Sequence, residues 1–379
     1  MVNVLESGVI YANPLPTIHS DQALFPAFCR LSNTEILCVH TRGVASASVD
    51  RTYAVVRSTD GGKTWQDEGP LWDKRQDDRL YSYGYGYPQL LADGEILLAG
   101  YRWDRSNSDG DFNIYNPQTL GAVPLDTILF RSGDGGRTWS APQVVPPPPG
   151  VAMANPTSRI LSLVDGRLML PIETWKTWDD LAPVKQRSMA LFSEDGGRTW
   201  PEHVTVAADS EHKLIYWNGC FAALKDGRVF AMYWVKDTTT ENDLPIRATW
   251  SKDQGHSWIV PIETALIGQM GCCIDTGDGR VMAIFNRRDK ESSGIWAAVS
   301  LDGGQTWPPN GHALLWDACG RAVIGGPHQA NRSRSIYDEG IIAFGKPDVI
   351  AVPNGSFLVG FWCTSNFVIQ LRWVSLTID

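Results

Sequence analysis

The chain is short of several things, and each shortage excludes a class of function. It has 33 basic residues against 42 acidic ones, a net charge of −9 and a pI near 5.3, so it lacks the basic surface that nucleic acid or an anionic membrane demands. No apolar run approaches the length of a membrane span, and residues 1–20 lack the basic start and continuous apolar stretch of a secretory leader. A cytoplasmic location is the expectation. The seven cysteines are odd in number and show no C-x-x-C spacing; six of them (Cys29, Cys38, Cys220, Cys272, Cys273 and Cys363) lie in apolar runs, which predicts buried thiols, neither zinc ligands nor a redox pair. No sequence feature calls for a cofactor. Long helical patterns are scarce as well.

What the chain has in quantity is tryptophan (16) and glycine (36), which suit short strands anchored by aromatic rings and joined by tight turns. One phrase recurs. Arg57-Ser-Thr-Asp-Gly-Gly-Lys-Thr-Trp65 returns at 131–139, 192–200, 250–258 and 299–307, always as Ser-x-Asp-x-Gly-x-Thr/Ser-Trp. Asp accepts backbone hydrogen bonds in a turn, Gly tolerates positive φ, and Trp pins the turn to its sheet. An Asp used identically five times is structural, not a unique catalytic group. A second phrase, two apolar strands about a tight turn, precedes each box. It turns at Asp93-Gly94, Asp165-Gly166, Asp226-Gly227, Asp278-Gly279 and Asn354-Gly355, with a first copy in residues 25–40. Box serines stand 49 to 74 residues apart, enough for a four-stranded sheet per repeat.

Six inner hairpins but five boxes predict an all-β, six-bladed propeller, one domain over residues 1–379. Its last blade takes strands near 346–352, 357–363 and 367–375. Its missing outer strand is supplied by residues 8–12, which would close the ring. Boxes and inner turns share one face of such a ring. Long, varied connections (41–51, 102–126, 174–187, 236–245 and 316–345) share the other, where a site is expected.

Five Asp-boxes inside six such hairpins resemble the sialidase (neuraminidase) superfamily of BNR-repeat propellers over the whole chain. That resemblance implies three arginines for a sugar carboxylate, an Asp acid/base, and a Tyr nucleophile assisted by a Glu. At the matching positions stand Phe25, Asn218, Trp234, Ser292 and Lys346 instead. Only Arg42 and Asp50 fit the pattern, Asp50 by region. The implied fold is therefore kept while the usual sialidase chemistry is not expected.

Positions at the starts of first strands and the ends of second strands crowd the mouth of a propeller. They give a polar and aromatic rim suited to stacking on sugars and holding hydroxyls: Arg42, Tyr85, Tyr87, Arg102, Arg159, Trp175, Asn218, Trp234, Arg287 and Lys346. The alternating tyrosines of 81–87 read as a stacking platform, because glycines between them weaken a regular strand. Glycoside hydrolysis needs two carboxyl groups. Glu173, between Pro171 and Trp175, is the first choice for a carboxyl raised by burial, its alternative being an ion pair with Arg159. Asp50 and Asp348 compete for the second role, with Asp50, in a loop, preferred as the acid and Asp348, beside Pro347, read also as a hydrogen-bonding group at a strand start. His328, with neighbouring arginines, would serve instead as the base of a uronate-cleaving lyase. Asp104, Asn107, Asp109 and Asp111 read as a solvated acidic loop in preference to a calcium site, because Arg105 stands where a first ligand belongs. The expected substrate is a saccharide bearing an acidic or unusual sugar, cleaved at its end by a hydrolase. A lyase and a binding-only propeller remain open.

Overall fold

The structure is a computed structural model that describes residues 1–107, 114–289, 292–318, 344–365 and 368–379. Six antiparallel sheets follow one another along the chain. Blade one is Gln22–Arg30, Ile36–Gly43, Thr52–Ser58 and Gln66–Pro70, and blade two is Tyr81–Leu90, Ile96–Asp104, Leu125–Ser132 and Gln143–Val145. Blade four opens with Leu214–Ala223, blade five with Gln269–Asp275 and blade six with Phe344–Val352. First strands of successive blades neighbour one another, except that the first strand of blade three meets the second and third strands of blade two, and the first strand of blade six meets that of blade one, so the sheets form a closed six-bladed ring.

Blade six closes as expected. Val2–Ala12 pairs with Val368–Ile378, from Val2 opposite Ile378 to Ala12 opposite Gln370, a longer strand than the apolar stretch 8–12 alone suggests. Its first part is largely exposed and gives no hydrophobic signal, because an outermost strand needs only one partner edge.

The boxes build the turns as their residue types dictate. In the first, the Ser58 hydroxyl donates to Asp60 (2.8 Å) and accepts from the Gly62 N–H (2.8 Å). Asp60 also takes the Thr64 N–H and hydroxyl, at 2.9 and 2.6 Å. Burial pushes the Asp60 carboxyl up, but the Thr64 and Ser58 bonds outweigh it and hold it at about 2. The box glycine has a second purpose. A Cβ on Gly62 would stand 2.7 Å from Leu358 in blade six, one on Gly197 2.7 Å from Leu97 in blade two, and one on Gly304 2.6 Å from Phe230 in blade four. Each box therefore packs its turn onto the blade before it. Arg57, just ahead of the first box, donates to the Gly135 carbonyl of the second at 2.9 Å, and Arg131 donates to Gly196 of the third at 3.0 Å.

One irregularity positions the centre. In five blades the first strand carries one extra residue against its neighbour: between Leu24 and Ala27, Tyr83 and Gly86, Trp217 and Cys220, Gln269 and Cys272, and Gly345 and Asp348. Such bulges re-aim side chains. Phe25, Asn218 and Lys346 occupy them with φ of 58°, 48° and 44°, a conformation disfavoured for residues with a Cβ. Blade three goes further. Its first strand breaks into Met153–Pro156 and Leu161–Ser162, and the lifted segment carries Thr157, Ser158 and Arg159.

Candidate functional site

The bulged segments meet in a narrow cavity lined by Phe25, Tyr85, Tyr87, Thr157, Arg159, Cys220, Cys272, Lys346 and Asp348. Its volume is about 20 Å³, room for a water or two and not for a sugar ring. Blades three and six, opposite each other in the ring, are tied across it. Arg159 Nη2 donates to both Asp348 carboxylate oxygens, at 2.6 and 2.7 Å, while the Phe28 N–H of blade one donates to Asp348 at 2.7 Å. Lys346 Nζ reaches the Thr157 carbonyl at 3.5 Å and lies 5.3 Å from the ring centres of both Tyr85 and Tyr87.

Several donors around this cavity have no partner among the described residues. The Tyr87 and Thr157 hydroxyls are buried and make no hydrogen bond. Arg159 uses only Nη2, leaving Nε and Nη1. Lys346 is 5 % exposed, and burial pushes its ammonium below the usual lysine value while Cys220, Glu173, Cys272 and Asp348 pull it back. Buried polar groups normally have partners, so four donors converging on one cavity define a place for an acceptor.

Glu173 is not part of this lining but acts electrostatically on Lys346 from Leu168–Trp175, the second strand of blade three. It does not pair with Arg159. Its oxygens accept from the Asn155 amide (3.1 Å) and from the N–H of Asn218 (3.0 Å), whose positive φ belongs to the bulge of blade four. It is 7 % exposed. Burial pushes its carboxyl above the ordinary value, against the pull of Asn155, Asn218 and Lys346. Glu173 and Asp348 both act on Tyr87 and on Lys346, so the fold brings these two carboxyls around one lysine and one tyrosine.

The remaining candidates lie elsewhere. Asp50 accepts the Val44 N–H at 3.0 Å within its own loop. Arg42 is held by Asp21 and Asp67 and lies over Tyr11. Arg102 lies over Tyr81 between Asp77 and Asp126, and Arg287 lies over Trp296 beside Asp289. Trp175 stacks on Trp217 at 5.6 Å, and Trp217 on Trp234 at 5.1 Å, a buried aromatic row that packs blade three on blade four. The tyrosines of 81–87 form the buried first strand of blade two, not an open platform, with only Tyr85 and Tyr87 on the cavity. The glycine between Tyr83 and Tyr85 is there for close packing: a Cβ on Gly84 would sit 2.2 Å from the Tyr101 ring. Asp104 pairs with Arg79 and caps Ser106. His328, Asp109 and Asp111 lie outside the described residues.

Sequence reasoning missed Asn155, which holds Glu173, and the part of Phe28. The Phe28 contact is made by a backbone N–H and has no side-chain signature. Asn155 had a signal: it pairs with Glu173 in the same register that places Glu173 at the end of its strand.

Six four-stranded blades, Asp-box turns and a polar centre define a propeller of the sialidase superfamily. The chain belongs to the BNR repeat-like domain family, whose model matches residues 111–318. Among curated proteins it is 24% identical over 277 residues to a sialidase of Bacteroides fragilis (strain YCH46), covering 69% of this chain and 48% of that one. It is 27% identical over 257 residues to a sialidase of Micromonospora viridifaciens, covering 59% and 36% respectively. The chain thus spans about half or less of these relatives' length. Among solved structures, a protein of unknown function from Dyadobacter fermentans DSM 18053 superposes with a TM-score of 0.78 over 100% of this chain and 99% of that one, at 21% identity. A Penicillium chrysogenum alpha-L-arabinanase complexed with arabinobiose superposes with a TM-score of 0.63 at 14% identity, covering 99% and 98%. Likeness at these identities is likeness of fold.

Proposed function

We propose that the chain is a glycoside hydrolase that removes a terminal sugar bearing an anionic group, with Glu173 as general acid and Asp348 as the second carboxylate. The observation that carries this reading is the two carboxyls themselves: one buried and raised by desolvation, the other ion-paired with an arginine, both acting on a shared lysine. A desolvated carboxyl and an ion-paired carboxylate have the division of labour that glycosidic cleavage needs. Protonated Glu173 gives its proton to the leaving oxygen. Asp348, oriented by Arg159, attacks the anomeric carbon or activates water.

The small cavity fits this scheme. It excludes the sugar ring but accepts a substituent, and its unpaired donors, the remaining Arg159 N–H groups and the two hydroxyls, suit a carboxylate, with the Lys346 ammonium close by. Relatives bearing the name sialidase support a saccharide substrate, although the residues differ from those the superfamily resemblance implies.

The test is turnover of a panel of aryl glycosides, acidic and neutral, by the intact protein. Glu173→Gln and Asp348→Asn are each expected to lower kcat by about 10²–10⁴-fold. Full turnover by both variants would sink the assignment, and a product with the ultraviolet absorbance of an unsaturated uronate would replace it with a lyase.

A further inference from the structure

A second depression, of about 580 Å³, lies on the variable-loop face next to the strand of Glu173. It is formed by residues 150–152 leading into blade three, 174–187 between that blade's second and third strands, and 208–212 leading into blade four. Unlike the central cavity it has the size of a ligand pocket.

Its charges are not equivalent. Asp209 is occupied by the N–H groups of Lys213 (2.7 Å) and Leu214 (3.0 Å), and Asp180 by that of Ala182 (2.8 Å). Lys176 donates to the Asp180 and Ala182 carbonyls, fastening the loop. Both acids are thus spent on building the walls. Lys185 and Arg187 are different: neither side chain has a hydrogen bond or ion pair among the described residues. The lining carries three cations (Lys176, Lys185 and Arg187) against two carboxylates (Asp180 and Asp209), so in a chain of net charge −9 it is locally positive, and the two cations without partners among the described residues favour an anion. Trp175 adds an apolar wall. It lies two residues beyond Glu173 on the same strand face, about 7 Å along the chain.

We propose that this pocket is a second saccharide subsite, taking a sugar unit that carries a carboxylate or sulfate through Arg187 and Lys185. The proposal rests on the reading of Glu173 as the cleavage site: the substrate is then an acidic oligosaccharide whose chain continues from Glu173 over Trp175.

The experiment is calorimetric titration of the intact protein with three probes: digalacturonate, a sulfated chondroitin disaccharide and neutral cellobiose. One or both anionic probes should bind and cellobiose should not, the stronger anion identifying the group recognised. Arg187→Ala and the loop variant Lys185→Glu should each weaken that binding about tenfold or more. Equal binding of cellobiose, no binding of either anion, or wild-type affinity in both cation variants overturns the subsite. If the cation variants weaken binding while Glu173→Gln keeps full turnover, the subsite stands and the catalytic reading fails.

Discussion

Arg159 and Asp348, 189 residues apart in sequence, join opposite blades of the ring through one guanidinium nitrogen placed 2.6 and 2.7 Å from the two carboxylate oxygens. The pair is mostly buried, with side chains 25 % and 13 % exposed, and Asp348 also satisfies the Phe28 N–H of blade one. Removing one partner strands the other. Asp348→Ala is expected to cost about 3 kcal/mol in urea unfolding, whereas Arg159→Met with Asp348→Leu should recover much of it. A loss below about 1 kcal/mol for the single variant would show that the tie is not structural.

Glu173 gives stability a definite pH dependence. Its folded value lies above the ordinary 4.5, so the folded chain holds a proton that the unfolded chain has released. Its contribution is fully present below about pH 4.5 and is lost as pH rises through the folded value. Glu173→Gln should therefore flatten the stability–pH curve above about pH 4.5 and raise the melting temperature at the alkaline end. A curve unchanged by the substitution would contradict the burial argument. In turnover the same group predicts activity that falls as pH rises, since the general acid must keep its proton.

Box glycines separate two effects that sequence alone merges. Gly61 and Gly304 both have positive φ, at 77° and 93°. A Cβ on Gly61 meets nothing within 4 Å, whereas one on Gly304 meets the Phe230 ring at 2.6 Å. Gly61→Ala should cost about 1 kcal/mol from backbone strain, and Gly304→Ala an additional 1–3 kcal/mol from overpacking. Equal losses in chemical denaturation would argue against packing between blades as the second purpose of the box.

Ring closure by Val2–Ala12 makes the first residues structural. Deleting residues 1–14 exposes the edge of Val368–Ile378 and uncovers Trp373, against which Gly8 packs closely. The melting temperature should fall by several degrees or more and aggregation should rise. An unchanged melt and a soluble, monodisperse product would refute closure by this strand.

The fold was legible because its determinants are local. A box is eight consecutive residues whose hydrogen bonds run within the turn, Ser58 to Asp60 and Asp60 to Thr64, so residue type and spacing suffice to place it. Five copies mark five blades, and a sixth inner turn without a box identifies the blade that residues near the start complete. The same ruler located Glu173, Lys346, Asp348, Asn218 and Arg159 near the centre, because strand length fixes which positions come there.

Partnership was not legible. Arg42 and Arg159 look alike in sequence, yet the first is claimed by Asp21 and Asp67 within its own blade and the second crosses the ring to Asp348. Asp50 was preferred to Asp348 on sequence, yet Asp50 caps its own loop at Val44 while Asp348 shares Lys346 and Tyr87 with Glu173. The sequence by itself determined the ring, its closure and the strand ends from which groups facing the centre are drawn, since short-range hydrogen bonding and strand periodicity encode them. Which of those groups meet, which are left without partners and which carboxyl is desolvated were decided by the tertiary structure alone, because one-residue bulges in separate blades turn their side chains toward a common centre only once the ring has closed.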